Sequence, residues 1–132
     1  MDMLKPIAAP VGRFLISLIF IMAGVQKIFG YAGTVAYMES QGVPGFLLPL
    51  VIVVELVGGL AILIGWKTAI WAVLLGGFTV VSGALFHLIP GMGMDGQAAQ
   101  LQQIMFMKNL AIAGGMAILF HSGPGSYAVD NR

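Results

Sequence analysis

Six polar side chains lie within or at the ends of long apolar segments, and they are the candidates for chemistry. One Glu, two Lys and one His provide hydrogen-bond donors, an acceptor and charge of both signs. Burial alone favours a neutral carboxyl, whereas a nearby lysine favours the ionised form. One carboxylate among these cations leaves surplus positive charge, which would accept an anion or a carbonyl ligand. The six residues are Gln26, Lys27, Glu55, His87, Lys108 and Asn109.

Composition indicates an integral membrane protein. The 132 residues are 59% hydrophobic and only 8% charged, against about 25% charged residues in soluble domains. Mean hydropathy is +0.99. The net charge is +1, and the Lys and Arg residues are scattered along the sequence. The sequence therefore has no basic stripe of the kind that binds nucleic acid. The absence of cysteine excludes disulfides, thiolate metal sites, Fe–S clusters and a CxxC redox pair.

Four apolar segments are long enough to cross a bilayer core of about 30 Å as helices. They predict spans over residues 11–29, 46–66, 68–89 and 104–121, in a single domain over 1–132. The fold class is therefore an all-α, four-helix membrane bundle. Tyr31, Tyr37 and Met38 in the first loop predict a short interfacial helix. The similarity of "GGLAILIG" to "GGMAILFH" raises a duplicated helical hairpin as a hypothesis.

Basic residues predict which way the bundle is inserted. Lys5, Arg13, Lys67 and Arg132 lie on the side that holds both termini, and the opposite side has Lys27 and Lys108. Cytoplasmic loops are enriched in Lys and Arg. Both termini are therefore predicted to be cytoplasmic.

The polar residues and small residues share the same helical stripes, which predicts that both face the bundle interior. Glu55 would then meet Lys27 and Lys108 in the outer half of the membrane. Five glycines are expected to let helices pack closely, namely Gly24, Gly58, Gly59, Gly83 and Gly115. The stripes are Arg13, Ser17, Phe20, Gly24 and Lys27 on the first span; Glu55, Gly59 and Ile62, with Gly58 beside them, on the second; Gly76, Thr79, Gly83 and His87 on the third; and Lys108, Ala111 and Gly115 on the fourth.

Two readings of this polar cluster remain open at the level of sequence. Intramembrane ionisable residues often bind a ligand or relay a proton. A Glu–Lys pair can also simply hold helices in register. His87 and His121 lie near opposite membrane surfaces and cannot ligate one haem within a monomer. No residue pattern predicts a metal site.

Several stretches resemble the DoxX family of small bacterial and archaeal membrane proteins. They are "GRFLISLIFIMAGVQKIFGYAGTVAYMESQGVP", "ELVGGLAILIG", "MKNLAIAGG" and "GPGSYAVD", and together they reach from Gly12 to Asp130. The matching motif positions are Gly24, Lys27, Glu55, Gly58, Gly59, Lys108, Asn109 and Gly115.

The resemblance implies a multi-pass protein of the bacterial or archaeal inner membrane. The family takes its name from a subunit associated with a terminal oxidase and a thiosulfate:quinone oxidoreductase. The resemblance therefore implies an accessory or quinone-linked subunit of a membrane redox system. A quinone is the candidate ligand, and redox subunits are the candidate partners. A homo-oligomer, a non-enzymatic assembly or trafficking partner, and a small-molecule transporter are the alternatives.

Overall fold

The structure, a computed structural model, describes residues 1–130 as an all-α bundle. Four stretches are long and apolar enough to cross a membrane, as predicted. Arg132, which contributed to the predicted orientation, lies outside the described residues. The helices are α1 (Lys5–Phe29), α2 (Tyr31–Ser40), α3 (Leu48–Ile64), α4 (Thr68–Gly83), α5 (Ile89–Met92) and α6 (Gly96–Ser122), with a 3-10 turn at Gly45–Leu47 before α3 and a π-helical segment at Ala84–Leu88 between α4 and α5.

The first loop contains the predicted interfacial helix. This helix, α2, follows α1 after Gly30 and ends at Ser40. Its one buried side chain is that of Met38, so the helix lies across the end of the bundle and exposes most of its surface. We call this end, where α2 and the α5–α6 connection lie, the loop side. The opposite end, which holds the N-terminus and residues 123–130, is the tail side.

The second span ends two residues earlier than the predicted boundary at residue 66. Gly65 adopts a left-handed conformation with φ 75°. The amides of Gly65 and Trp66 donate to the carbonyls of Ile62 and Ala61, at 3.2 and 2.8 Å. This glycine-terminated arrangement satisfies carbonyls that the helix end would leave unpaired. Lys67 is also left-handed, and α4 begins at the next residue.

The helix of the fourth span, α6, is longer than the predicted span 104–121. It begins at Gly96, so the Gln-rich stretch forms its first turns. Gln97, Gln100 and Gln103 are exposed there. Alanine and glutamine favour helix formation, and polar side chains are tolerated where the helix extends beyond the apolar core.

The spans are arranged in the order α1, α3, α4, α6 around the bundle. α1 packs mainly on α3 and α4 mainly on α6, while the backbones of α1 and α6 stay further apart. Each predicted hairpin therefore packs within itself, although duplication of the hairpin stays a prediction. The buried apolar core comprises Phe20, Ile62, Ala72, Leu75 and Met116.

Candidate functional site

An ion pair between α1 and α3 is the centre of the candidate site. Lys27 Nζ lies 3.0 Å from Glu55 Oε1 and donates a hydrogen bond to Oε2 at 3.3 Å. The Glu55 side chain is only 6% exposed, whereas that of Lys27 is 28% exposed. The contact of Lys27 with Oε1 is an ion pair without hydrogen-bond geometry, and Oε1 has no hydrogen-bond donor among residues 1–130. The carboxylate is thus buried, and the ammonium lies between it and the loop-side surface.

Helix geometry explains why this lysine and this glutamate meet. Arg13, Ser17, Phe20 and Gly24 are the buried residues of α1, and Lys27 continues their stripe at helical spacing. On α3, Glu55 shares the buried face with Gly59. A Cβ built on Gly59 would lie 2.8 Å from Ile21 Cγ1, and one built on Gly24 would lie 2.6 Å from Leu56 Cγ.

The two glycines therefore let α1 and α3 approach closely, and this approach brings the Lys27 ammonium within reach of the Glu55 carboxylate. Close helix approach at small residues is a common way of packing in membranes.

The ion pair forms part of the wall of a cavity of about 240 Å³ on the loop side. The ring centroids of Tyr37 and Phe86 lie 5.5 Å apart, with their planes inclined by 28°. Tyr37 also donates a long hydrogen bond of 3.4 Å to the carbonyl of Phe86. The cavity thus combines one buried ion pair with an aromatic wall. Its lining residues are Lys27, Thr34, Tyr37, Met38, Val51, Glu55, Phe78, Ser82, Phe86 and His87.

His87 is positioned by the π-helical segment. Its Nδ1 lies 2.7 Å from Gln102 Oε1 on α6. When Nδ1 carries the proton and donates to Gln102, Nε2 is left as an acceptor. Short π-helical segments inside α-helices occur frequently at functional sites. The segment turns His87 so that it both lines the cavity and connects the third span to α6.

Three of the predicted site residues, Gln26, Lys108 and Asn109, lie apart from this cavity. Lys108 is exposed, and its Nζ is 3.8 Å from Met105 Sδ. Among the described residues Glu55 therefore pairs with one lysine, Lys27. The prediction that Glu55 also meets Lys108 is wrong. Gln26 is also exposed, one position away from the buried stripe of α1.

Asn109, beside Lys108, is the buried polar residue of α6. Its Nδ2 donates to the carbonyl of Thr79 at 3.0 Å. A Cβ on Gly83 would lie 2.8 Å from the same Nδ2. Asn109 thus joins α6 to α4 and does not line the cavity. The face of α6 that points inward contains Asn109 and Met116, about 100° around the helix from the predicted face with Lys108, Ala111 and Gly115.

The remaining predicted packing glycines lie at other contacts between spans. A Cβ on Gly58 would be 2.9 Å from Trp71 Cε3, at the contact between α3 and α4. A Cβ on Gly115 would be 2.9 Å from Ile16 Cδ1, where α6 meets α1.

A second polar centre, not predicted from the sequence, lies on the tail side. Arg13 is 2% exposed. Its Nη1 donates to the carbonyl of Leu63 at 2.8 Å, and its Nη2 donates to the carbonyls of Ser126 and Tyr127 at 2.7 and 2.8 Å. Residues 123–130, which we call the strap, are thereby held across the end of the bundle.

The end of the strap is fixed to the turn between α3 and α4. The two carboxylate oxygens of Asp130 accept hydrogen bonds from the backbone amides of Lys67 and Thr68, both at 2.8 Å. The amides of Val129 and Asp130 donate to the carbonyls of Ile64 and Gly65. Asp130 thus satisfies amides at the start of α4, where a negative charge is favourable. A buried arginine without an assigned partner was the one signal in the sequence for this contact.

Comparison with known proteins places these features in a family. The DoxX family model matches residues 8–88. The chain belongs to the DoxX family. It is 47% identical over 130 residues to the inner membrane protein YqjF of Escherichia coli K12, covering 98% of this chain and 95% of YqjF. It is 35% identical to the inner membrane protein YphA of the same strain, covering 97% of this chain and 91% of YphA.

A third relative covers less of this DoxX protein. CatD of Bacillus subtilis 168, which has a provisional oxidoreductase name, is 34% identical over 62 residues, covering 47% of this chain and 46% of CatD. No solved structure matches the chain. The family match over residues 8–88 includes every residue that lines the cavity, among them Lys27, Glu55 and His87. Asn109 and the strap lie beyond that match.

Proposed function

We propose that this DoxX protein is a subunit of a membrane redox system and that it binds a quinone or a similar ring-bearing amphiphile in the loop-side cavity. The observation that carries the proposal is the Lys27–Glu55 ion pair in the wall of a cavity with aromatic side chains. Ligand sites typically combine an apolar lining with a few convergent polar groups and perturbed charges. The cavity lies where the loop-side ends of the spans meet α2, and an amphiphile in the bilayer could enter it there.

The donors and the size of the cavity fit a quinone ring. A quinone carbonyl accepts hydrogen bonds, and Lys27 Nζ, partly exposed beside the cavity, has donors beyond those directed at Glu55. Phe78 and the Tyr37–Phe86 pair offer flat apolar surfaces for a ring. The volume of about 240 Å³ accommodates a single ring and the start of its tail.

Each polar residue has a distinct role in this proposal. A bound quinone supplies the capacity to carry two electrons and two protons. Lys27 orients a carbonyl by hydrogen bonding, and Glu55 holds Lys27 in place through the ion pair. His87 lines the same cavity with Nδ1 directed at Gln102, and its other ring nitrogen offers a second polar contact to the quinone.

We further propose that the protein lies in the inner membrane with both termini in the cytoplasm. The names of YqjF and YphA support the membrane assignment. Lys5 and Lys67 are exposed on the tail side, which supports the orientation. Because the chain has no cysteine, single cysteines at Asp2 and Gln97 can be labelled in intact cells. Labelling of position 97 but not position 2 by a membrane-impermeant maleimide is expected.

The decisive experiment measures quinone binding by the purified full-length protein. Quinone retained through purification is extracted and quantified, and binding of added ubiquinone-1 is measured by equilibrium dialysis. Lys27→Met removes a charged donor and is expected to weaken binding about tenfold or more. Lys108→Met is the matched control, because Lys108 is the other lysine at this level of the bundle but does not line the cavity.

The outcomes separate the proposal from a purely structural role. If the wild-type protein neither retains a quinone nor binds ubiquinone-1, the proposal fails. Equal loss of binding in Lys27→Met and Lys108→Met would also contradict it, because only the first residue lines the cavity. A non-enzymatic assembly partner would instead show no binding in any variant and would lose its folded bundle when the ion pair is broken.

A further inference from the structure

A second cavity lies on the tail side, in the seam between α1 and α6. Its volume is about 240 Å³. Small residues form its α1 wall, Ala8 and Gly12 among them, and Ile118 and Leu119 form much of its α6 wall. The backbones of α1 and α6 stay apart along this seam. No other heavy atom lies within 4 Å of a Cβ built on Gly12, so there is free space directly beside α1.

A buried cation forms part of the same wall. Arg13 lines the cavity, and its three hydrogen-bond acceptors are neutral backbone carbonyls. Its Nε is buried without a hydrogen-bond partner among residues 1–130. The strap carboxylate, Asp130, is directed at the amides of Lys67 and Thr68. Among residues 1–130 no carboxylate forms an ion pair with this guanidinium. A buried guanidinium held only by neutral acceptors favours an anion nearby.

The end of the seam has a second basic residue. Lys5 is exposed at the start of α1. It precedes Ala8 and Ala9 by three and four residues, so it shares their side of the helix one turn nearer the membrane surface. The seam thus presents a positive charge at its mouth, a buried positive charge in its wall, and an apolar lining between the helices.

We propose that this seam is a binding site for an anionic phospholipid, with one acyl chain between α1 and α6 and the phosphate group near Lys5 and Arg13. The apolar lining fits an acyl chain, and the two cations complement a lipid phosphate. A free phosphate ion would gain no favourable contact from the apolar walls. This site lies at the opposite end of the bundle from the quinone cavity and does not depend on that proposal.

The test uses the full-length protein purified in detergent and examined by native mass spectrometry. Dioleoyl phosphatidylglycerol and dioleoyl phosphatidylcholine are added separately, so that the acyl chains are identical and only the headgroup charge differs. The wild-type protein is expected to retain the anionic lipid with about fivefold preference, the effect of one basic group near the surface.

Gly12→Leu fills the seam with a side chain. It is expected to lower retention of the phosphatidylglycerol about tenfold, because several methylenes of the acyl chain are excluded. Gly114→Leu is the matched control, since it also has open space around its Cβ and lies outside the seam. If Gly12→Leu does not fold, Ala8→Leu blocks the same cavity from the next helical turn.

Equal retention of the lipid by Gly12→Leu and the wild-type protein would overturn the proposal. So would equal retention of the anionic and zwitterionic lipids, which would show only an apolar crevice. Equal loss in Gly114→Leu and Gly12→Leu would likewise overturn it, because the effect would not come from the seam.

Discussion

Lys27 and Glu55 connect α1 to α3 with an Nζ–Oε1 distance of 3.0 Å, and only the lysine reaches the surface. The pair is therefore asymmetric. Removing the ammonium leaves a buried carboxylate without its counter-charge, whereas removing the charge of Glu55 leaves a lysine that can turn towards the interface. This asymmetry makes the stability of the two single variants distinguishable.

We expect Lys27→Met to destabilise the bundle by about 3 kcal/mol, in the range for breaking a buried pair. Glu55→Gln is expected to cost less. The double variant Lys27→Met/Glu55→Leu is expected to recover most of the stability, because replacing both partners by apolar residues is often neutral. Unfolding free energies from steric trapping in bicelles provide the measurement.

The double variant also tests whether the pair has a role beyond stability. It is expected to fold yet fail to bind ubiquinone-1. A double variant as unstable as Lys27→Met alone would contradict this account of the ion pair, and one that folds and binds ubiquinone-1 normally would remove the pair from the ligand site.

Asn109 packs against Gly83 and hydrogen-bonds to Thr79 where α6 meets α4. Asn109→Leu loses the hydrogen bond to the Thr79 carbonyl, and its larger side chain presses on Gly83. A cost of about 1–3 kcal/mol is expected, as for a buried polar contact. Asn109→Ala should cost about 1 kcal/mol, because the carbonyl of Thr79 also accepts a hydrogen bond from Ser82 Oγ at 3.3 Å. Thermal unfolding followed by circular dichroism would rank the two.

Gly83→Ala provides an independent check of the same contact. The new Cβ would lie 2.8 Å from Asn109 Nδ2 and 3.0 Å from its Cβ, so the helices must separate. In the double variant Gly83→Ala/Asn109→Ala the first of these clashes disappears. The cost of the double variant is therefore expected to fall below the sum of the two single costs. Strict additivity would show that the two residues do not contact each other.

The stripe of α1 shows how far the sequence determines the inward face of a span. A stripe at helical spacing runs there from Arg13 to Lys27. The structure buries Arg13, Ser17, Phe20 and Gly24 and leaves Lys27 partly exposed at the loop-side end. On α6 the sequence offers Lys108 and Asn109 side by side. Each is polar, each has small residues at helical spacing, and the two faces differ by about 100°. Desolvation decides between them, because an amide is far cheaper to bury than an ammonium group.

The strap could not be predicted in the same way. Its contacts join residues that are more than 60 positions apart, and Arg13 and Ser126 are 113 positions apart. Most of them use backbone carbonyls or amides, which any sequence provides. Periodicity carries no information about such contacts. The position of Arg13 on a predicted buried stripe was the one signal in the sequence, because a buried guanidinium needs hydrogen-bond acceptors.

Glycine substitutions should separate the close helix contacts from the open ones. Gly24→Ala places a Cβ 2.6 Å from Leu56 Cγ, and Gly58→Ala places one 2.9 Å from Trp71 Cε3. Each is expected to cost about 1–3 kcal/mol, as for overpacking. Gly77→Ala and Gly114→Ala meet no atom within 4 Å and should be neutral. A loss of stability in Gly114→Ala equal to that in Gly24→Ala would contradict the packing of α1 on α3.

Arg13 and Asp130 fix the strap at two points, and their variants should release it to different extents. Arg13→Lys keeps the positive charge but cannot reproduce the forked donation to three carbonyls. It is expected to lower the unfolding free energy by about 2–4 kcal/mol and to make the strap accessible to carboxypeptidase Y. Asp130→Asn keeps one acceptor oxygen for the amides of Lys67 and Thr68, and it should cost about 1 kcal/mol.

Asp95→Asn is the matched control for Asp130→Asn. Asp95 also precedes a long helix, but its side chain makes no capping hydrogen bond there. Asp95→Asn should therefore leave both the unfolding free energy and the digestion by carboxypeptidase Y unchanged. Digestion is followed by intact mass, which reports how many residues are removed from the C-terminus. A strap as resistant in Arg13→Lys as in the wild-type protein would show that the guanidinium does not hold it, and the contacts of Asp130 and Val129 would then be sufficient.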